Sequence, residues 1–283
     1  MIIISEHGRL GNQLFQYVSL RNLFPDQRLV LFGFDDLVGV ATSLDATVVG
    51  RNKLPPWLRP SLLRRILHVL TVLRLLGRIR EVRSGSLYEL KKWKGVFQTT
   101  YAVEVSFFQH HSVTDRLETD FSIRPALLKR AGDWLLGQID TPRRDNLVFV
   151  HVRRGDYLLW PNRENPAVID LDWYERAMNH ARQQIHNPLF LVVTDDLYYA
   201  QDVFRGQEDV RISTNDSDVD FALMSLCAHG ILSASTFAWW GAYFSRQKNQ
   251  APGLYFAPKY WAGHRAARWY PQGFESDWIS YSE

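Results

Sequence analysis

At 283 residues, 46% hydrophobic and 22% charged, the chain has ordinary globular composition and room for one large domain or two small ones. Its single cysteine, Cys227, excludes an internal disulfide, and no apolar stretch approaches the ~20 residues that a membrane span needs. The net charge is only +3.

The N-terminal "MIIIS" reads as a strand. It leads directly into charged residues and glycine, so no signal peptide is read and the chain is expected to be soluble and cytoplasmic. "GRLGNQLFQYVSLRNLF" is a glycine-rich turn running into a helix, and "RLVLFGF" is a second strand. Gly8 and Gly11 would let backbone approach a ligand, and a helix N-terminus suits an anion. The spacing matches neither the G-x-G-x-x-G pattern nor a Walker loop, and a tight turn with Asn12 capping the helix is the competing reading.

Residues 40–120 read poorly, and the cluster Pro55, Pro56 and Pro60 is expected to break regular structure there. Within this stretch, residues 51–80 carry eight Lys or Arg and no acid, which leaves the rest of the chain net acidic. Ser61 to Arg80 reads as a basic helix. It either lies on an anionic membrane surface or packs its apolar face on the core. No nucleic-acid module is visible, and the aromatics are not interleaved with the basic run, so no nucleic-acid partner is expected.

From residue 146 onward strands and helices alternate. "NLVFVHV", "LFLVVT", "VRIS", "GILSA" and "LYFAP" are strands. "LDWYERAMNHARQQI", "DLYYAQDVF", "DVDFALMSLCAH" and "TFAWWGAYFSRQ" are the helices between them, the first following a capping Asp170 or Asp172. Continuous apolar strands alternating with helices mean a parallel sheet covered on both faces, whose ligands bind at the carboxyl ends of the strands. Three polar clusters fall at such ends: "HVRRGD" (151–156), "TDD" (194–196) and "SASTF" (233–237).

Arg153 and Arg154 are adjacent, so on extended backbone they point to opposite sides. One is suited to a phosphate through forked hydrogen bonds, while the other pairs with structure; a structural Arg–Asp network is the alternative. Ser235 and Thr236 could either cradle phosphate oxygens or cap the following helix. "VTDDL" carries adjacent acids, Asp195 and Asp196, where a D-x-D metal element would need them one residue apart. No H-E-x-x-H motif and no Cys–His ligand set is present, so no catalytic metal or other cofactor is expected.

"GRLGNQLFQY", "HVRRGDY", "FLVVTDD" and "DFALMSLCAHGILSASTFAWWGAYF", in this order, resemble the α-1,2-fucosyltransferases of glycosyltransferase family 11. The likeness covers roughly residues 1–25 and 145–260. It implies an α/β, GT-B-like architecture of two Rossmann-type halves with the active site between them: residues 1–140 on the acceptor side, 141–283 binding the donor. It further implies GDP-fucose as donor, a galactose-terminated acceptor, inversion at the fucose anomeric carbon and no metal. By this resemblance Arg153 holds the donor β-phosphate with His151 beside it. Ser235, Thr236 and Phe237 wrap the diphosphate and nucleoside, and Asp220 pairs with the guanine edge. Gly11 and Asn12 lie in the turn facing the reacting sugar, and Asp195 counts among the donor-binding residues. Arg9 stands where family members often have Gly, and Ala238 where they often have Ser; the first puts in question what the turn does near the acceptor. The catalytic set expected is Arg153, Asn12 and Asp156, with Glu6, His7 and His111 as other candidates for general base and a base-poor, dissociative route as the alternative. The family setting also suggests peripheral contact with the inner membrane face through residues 51–80. A different sugar-nucleotide transferase, or a non-catalytic sugar- or nucleotide-binding module on the same scaffold, are the competing functions.

Overall fold

The computed structural model describes residues 1–84, 87–139, 144–249 and 251–283. The first strand-like run, "MIIIS", becomes β1 (Ile2–Ser5), whose Ile2 and Ile4 are fully covered. After it come α1 (Leu10–Leu23), β2 (Leu29–Phe32), α2 (Asp35–Val40), β3 (Thr47–Val49), α3 (Pro60–Val72), β4 (Leu76–Ser84), β5 (Leu87–Trp93), β6 (Phe97–Val103) and α4 (His111–Thr114). The strands form one sheet in the order β3-β2-β1-β6-β4-β5. All neighbours are parallel except β4 and β5, which pair antiparallel.

Two features of this stretch differ from the sequence reading. Pro60 does not break a helix but starts one, occupying the first turn of α3, where a missing N–H leaves no bond unmade. The apolar run from Ser61 to Arg80 is not one helix. It ends at Val72 because Arg74 adopts a left-handed conformation (φ 56°), and the Leu75 N–H then closes on the Leu70 carbonyl at 3.0 Å. Beyond that turn Leu76–Ser84 is strand. The basic residues therefore divide among a loop, a helix, a turn and a strand, and they do not share one helical face.

The rest of the chain forms α5 (Pro125–Gln138), β7 (Leu147–Val152), α6 (Leu171–Gln184), β8 (Leu189–Thr194), α7 (Leu197–Val203), β9 (Val210–Ile212), α8 (Ser217–Leu226), β10 (His229–Ile231), α9 (Thr236–Gln247), β11 (Tyr255–Pro258) and β12 (Ser280–Ser282). Its sheet order is β12-β11-β10-β7-β8-β9, parallel throughout. Counted from β7, this is the 3-2-1-4-5-6 order of the doubly wound dinucleotide-binding sheet, with its reversal between β7 and β10. β7 is buried at all six positions, as a central parallel strand must be. Val148, Val150 and Val152 pack against Trp173, Tyr174 and Met178 of α6; each such side chain contributes roughly 1.5–3 kcal/mol by leaving water.

Two compact units result: residues 1–123 with 272–274, and residues 124–271 with 275–283. The expected boundary at 140/141 falls at residues outside the described ones. Helix α5, which precedes it, belongs to the second unit: it packs on α8 and buries Leu127, Ala131 and Leu135. Among the described residues no helix is long and apolar enough to cross a membrane.

Candidate active site

The reversal between β7 and β10 is bridged by two side chains. His151, near the end of β7, lies with Nδ1 2.7 Å from Ser233 Oγ, just past the end of β10. Burial, reinforced by the positive charge of Arg153, pushes the imidazole down to about 3, so it is neutral at physiological pH. Its ring lies 5.5 Å from that of Phe237, which in turn lies 5.4 Å from Phe221 of α8.

Past β7 the two arginines separate, each to its own acid after β8. Arg153 places Nη2 2.5 Å from Asp156 Oδ1 and Nη1 2.9 Å from Asp195 Oδ2. Arg154 places Nε 3.1 Å from Asp196 Oδ2, and its guanidinium sits 3.6 Å over the ring of Tyr199. The acids after β8 thus hold both arginines. Asp195 Oδ1 also accepts the Arg154 backbone N–H at 2.8 Å, and Asp196 caps α7 by accepting the Tyr199 N–H at 3.1 Å. A Cβ at Gly155 would stand 2.5 Å from Asp195 Oδ2, so a larger residue there would push this carboxylate aside. Asp195, expected among the donor-binding residues, is engaged as the support of Arg153. Asp156 is largely exposed and ion-paired with the same guanidinium.

Farther along the same strand ends, Ser213 follows β9 and donates its hydroxyl to Asp220 Oδ1 at 2.5 Å. Burial, and to a lesser extent the nearby Asp216, push Asp220 up to about 7 against the pull of the Ser213 hydrogen bond. On the β10 side Ser235 precedes α9 in extended conformation, with its side chain making no cap bond, so the hydroxyl is uncommitted to the helix. Thr236 and Phe237 open the first turn of α9. The Tyr157 hydroxyl, donating to the Ala234 carbonyl at 2.8 Å, ties the segment after β7 to this one.

His151, Arg153, Asp156, Asp195, Asp220, Ser235, Thr236 and Phe237 therefore line the carboxyl ends of adjacent strands in one sheet. Sequence reasoning assigned no role to Ser213 or Tyr199 and no partner to Ser233 of "SASTF" or to Tyr157. Tyr157 was visible as the residue closing "HVRRGDY"; the serines and Tyr199 carry no local signal of their partners.

Gly11 and Asn12 belong to the first unit. There the helix-capping reading of Asn12 is corrected: α1 is preceded by Arg9, and Asn12 lies inside the first turn, accepting from Gln109 Nε2 at 3.1 Å. Gly8 has φ 90°, and a Cβ there would meet Asn12 Nδ2 at 2.3 Å, so the turn requires glycine on both counts. Of the other base candidates, Glu6 takes Arg51 through both carboxylate oxygens at 3.0 and 2.6 Å. His7 is pushed down by burial and by Arg64. His111 opens α4, with Nδ1 4.0 Å from Asp115.

Among the described residues no group of three or more His, Cys, Asp or Glu side chains is placed to hold a metal ion.

A family model described as glycosyl transferase family 11 matches residues 1–281. The O-antigen biosynthesis glycosyltransferase WbnK of Escherichia coli is 27% identical over 154 residues, which cover 52% of this chain and 50% of the relative. Galactoside alpha-(1,2)-fucosyltransferase 2 of Rattus norvegicus is 25% identical over 252 residues, 87% of this chain and 67% of that one. An alpha-1,2-colitosyltransferase of Escherichia coli is 34% identical over 130 residues, 43% of either chain. The matches thus span about half the length of the two bacterial relatives. Among solved structures, fucosyltransferase NodZ from Bradyrhizobium superposes with a TM-score of 0.50 at 16% identity, covering 85% of this chain and 92% of that one. A glycosyl transferase family 9 structure from Veillonella parvula gives 0.53 at 12% identity, covering 99% and 85%. The fold is GT-B-like, with two Rossmann-type units in one chain.

Proposed function

From the premise that the chain belongs to glycosyl transferase family 11, we propose that it transfers L-fucose from GDP-fucose to the 2-hydroxyl of a galactoside, with inversion and without a metal. The observation that carries this reading is Arg153, a guanidinium held at the end of the central strand β7 beside the neutral His151. When the fucosyl–phosphate bond breaks, the sugar acquires oxocarbenium character and the leaving diphosphate gains charge. Arg153 and the N–H groups opening α9 supply positive charge to that diphosphate, and a preorganised contact of this kind contributes roughly 3–4 kcal/mol to the barrier. The arginine is set in advance by Asp195, so little reorganisation is needed at the moment of reaction. His151 stays uncharged and hydrogen-bonded to Ser233, giving the pocket a polar wall that does not compete for the phosphate. Asp220 takes the guanine N–H donors, and Phe237 packs on the nucleoside. The acceptor hydroxyl attacks the face of the sugar opposite the departing GDP, which inverts the anomeric centre.

Similarity to a colitosyltransferase favours a second donor reading, with GDP-colitose in place of GDP-fucose. One experiment tests both: labelled GDP-fucose and GDP-colitose are each incubated with a panel of galactosides in excess EDTA, and the product linkage is assigned by NMR. Acceptor-dependent release of GDP with an α-1,2 product supports the reading. Failure of both donors to turn over with every acceptor would refute it.

A further inference from the structure

The first unit has a strand-end crevice of its own. Counting along its sheet, the chain runs outward from β1 to β3 and then crosses to the other side, so the order reverses between β1 and β6. At the carboxyl ends of these two strands, beside α3, lies a groove of about 810 Å³. Its floor is apolar, with Leu67 and Ala102 buried, and Val69 and Val105 stand exposed at its rim.

Its walls are basic. Arg64, Arg65 and His68 enter from α3, Arg78 and Arg80 from β4, and His7 from the segment after β1. Glu104 is the one carboxylate among the described lining residues, and two guanidinium groups and an imidazole share it. Arg78 Nε and Arg80 Nε each lie 3.3 Å from it and His68 Nδ1 3.6 Å. The Arg78 approach lacks hydrogen-bond geometry, which leaves Nε a buried donor without an acceptor. Two guanidinium groups share that carboxylate, Arg64 donates to the Glu6 backbone carbonyl, and Arg65 lines the same groove, so four guanidinium groups face it against one carboxylate, with an unmatched donor among them: a wall that lacks an anion.

We propose that this groove binds the acceptor and that the acceptor carries an acidic group, a carboxylate or a phosphate, which the arginines of α3 and β4 receive. The inference rests on the glycosyltransferase reading above. It adds that the galactoside is presented as part of an acidic glycan or a phosphate-linked one, with its sugar rings over the apolar floor and the acid against Arg65 and Arg80. Galactoside and anion are then recognised together, and a neutral galactoside alone is a poor ligand.

Isothermal titration of the full chain decides this with four probes: N-acetyllactosamine, galactosyl-glucuronic acid, galactosyl-N-acetylglucosaminyl diphosphate, and inorganic phosphate. The expected result is binding of one or both acidic disaccharides at least about tenfold tighter than N-acetyllactosamine, the worth of one charge-assisted hydrogen bond, with the advantage shrinking at high salt. Tighter binding of the glucuronide points to an acidic sugar, and tighter binding of the diphosphate alone to a phosphate-linked glycan; either supports the groove. The advantage should vanish in Arg65→Gln/Arg80→Gln. It should also vanish in Val69→Glu, which places a negative charge at an exposed rim position where no core packing is disturbed. Equal affinity for neutral and acidic disaccharides overturns the proposal, as does an advantage that survives both variants, or inorganic phosphate matching the acidic disaccharides. Donor turnover is measured separately: its absence with every acceptor refutes the glycosyltransferase reading, while the binding comparison still decides the groove.

Discussion

Arg153 and Asp195 face each other from the ends of neighbouring strands, Nη1 2.9 Å from Oδ2, and the same carboxylate holds the backbone N–H of Arg154. One acid thus sets both the side chain of one arginine and the backbone of the next. Arg153→Lys is expected to lower kcat/KM by more than about 10²-fold, because an ammonium cannot keep the forked contact to a diphosphate. Its melting temperature should stay near wild type. Arg154→Lys should behave in the opposite way: it gives up the stack on Tyr199 and the Asp196 pair, for a loss of about 1–2 kcal/mol and a Tm lower by roughly 2–8 °C. Steady-state kinetics and thermal melts of the two variants check this; a lysine at 153 that keeps a tenth of the activity would remove Arg153 from the mechanism.

Gly155→Ala tests the support rather than the arginine. The added methyl would stand 2.5 Å from Asp195 Oδ2, so the carboxylate must shift, and a shift there disturbs its contact with Arg153. The expected outcome is a fall in kcat/KM of about tenfold or more, comparable to losing one charged hydrogen bond, in a protein that still melts cooperatively. Wild-type kinetics in this variant would show that Asp195 does not position Arg153.

Much of the second unit was legible because its signals are local. The strands alternate with helices bounded by polar turns, and "TFAWWGAYFSRQ" matches the observed α9 residue for residue. "HVRRGD" was identifiable as a strand-end cluster because a continuous apolar run precedes it. The first unit hid its structure for particular reasons. Arg74 occupies the left-handed position where glycine is the usual sign of a helix end, so α3 and β4 read as one element. β5 is an edge strand carrying Lys91 and Lys92, which protects the edge and erases the apolar alternation. The Ser213–Asp220 and His151–Ser233 pairs join residues 7 and 82 positions apart, and no spacing rule announces them.

Asp220 gives the protein a pH signature. Its folded carboxyl is raised from 3.8 to about 7, so between those values the folded chain holds a proton that the unfolded chain has released. Stability from this group is fully present below about pH 4 and is lost as pH rises through about 7. Asp220→Asn should flatten that part of the stability profile. If the carboxylate accepts the guanine N–H groups, GDP binding favours the ionised form. Affinity should then rise by up to roughly tenfold per pH unit between about 5 and 7, with proton release on binding. Titrations at several pH values in wild type and Asp220→Asn isolate this from the titration of GDP itself. Identical pH slopes in the two proteins would remove Asp220 from the guanine site.

Turnover is expected to continue undiminished in excess EDTA. The adjacent acids after β8, Asp195 and Asp196, are already committed to Arg153 and Arg154. A divalent cation could be held there only by displacing guanidinium groups that are themselves largely covered, and unpairing a covered charge is expensive. Activity measured with EDTA, then with added Mg²⁺ and Mn²⁺, decides it; a strict requirement for either ion would show that the arginines give way to a metal.

Helix α3 carries the last prediction, peripheral contact with an anionic membrane. Leu63, Leu67 and Thr71 are its buried residues. Leu62, Ile66, Val69 and Leu73, at spacings of four, three and four, are 37–62% exposed, and Trp57 just before the helix is 68% exposed. An apolar stripe left in water beside Arg59, Arg65 and Arg74, with no acid anywhere in residues 51–80, is complementary to a negatively charged lipid surface. Arg51 is paired with Glu6, and Arg64, Arg78 and Arg80 face the groove rather than the exposed stripe, so few cations remain for lipid, each worth roughly 1 kcal/mol. The apolar stripe must therefore supply the larger part, and binding should be weak and reversible. Sedimentation with vesicles is expected to show association with anionic but not zwitterionic lipid, reduced rather than abolished at high salt. Leu62→Gln/Ile66→Gln/Leu73→Gln should eliminate it while transfer to a soluble acceptor persists, since none of the three side chains lines the groove or the strand-end site. Binding unaffected by that triple change, or absent at low salt, would leave α3 as a packing element with an exposed back.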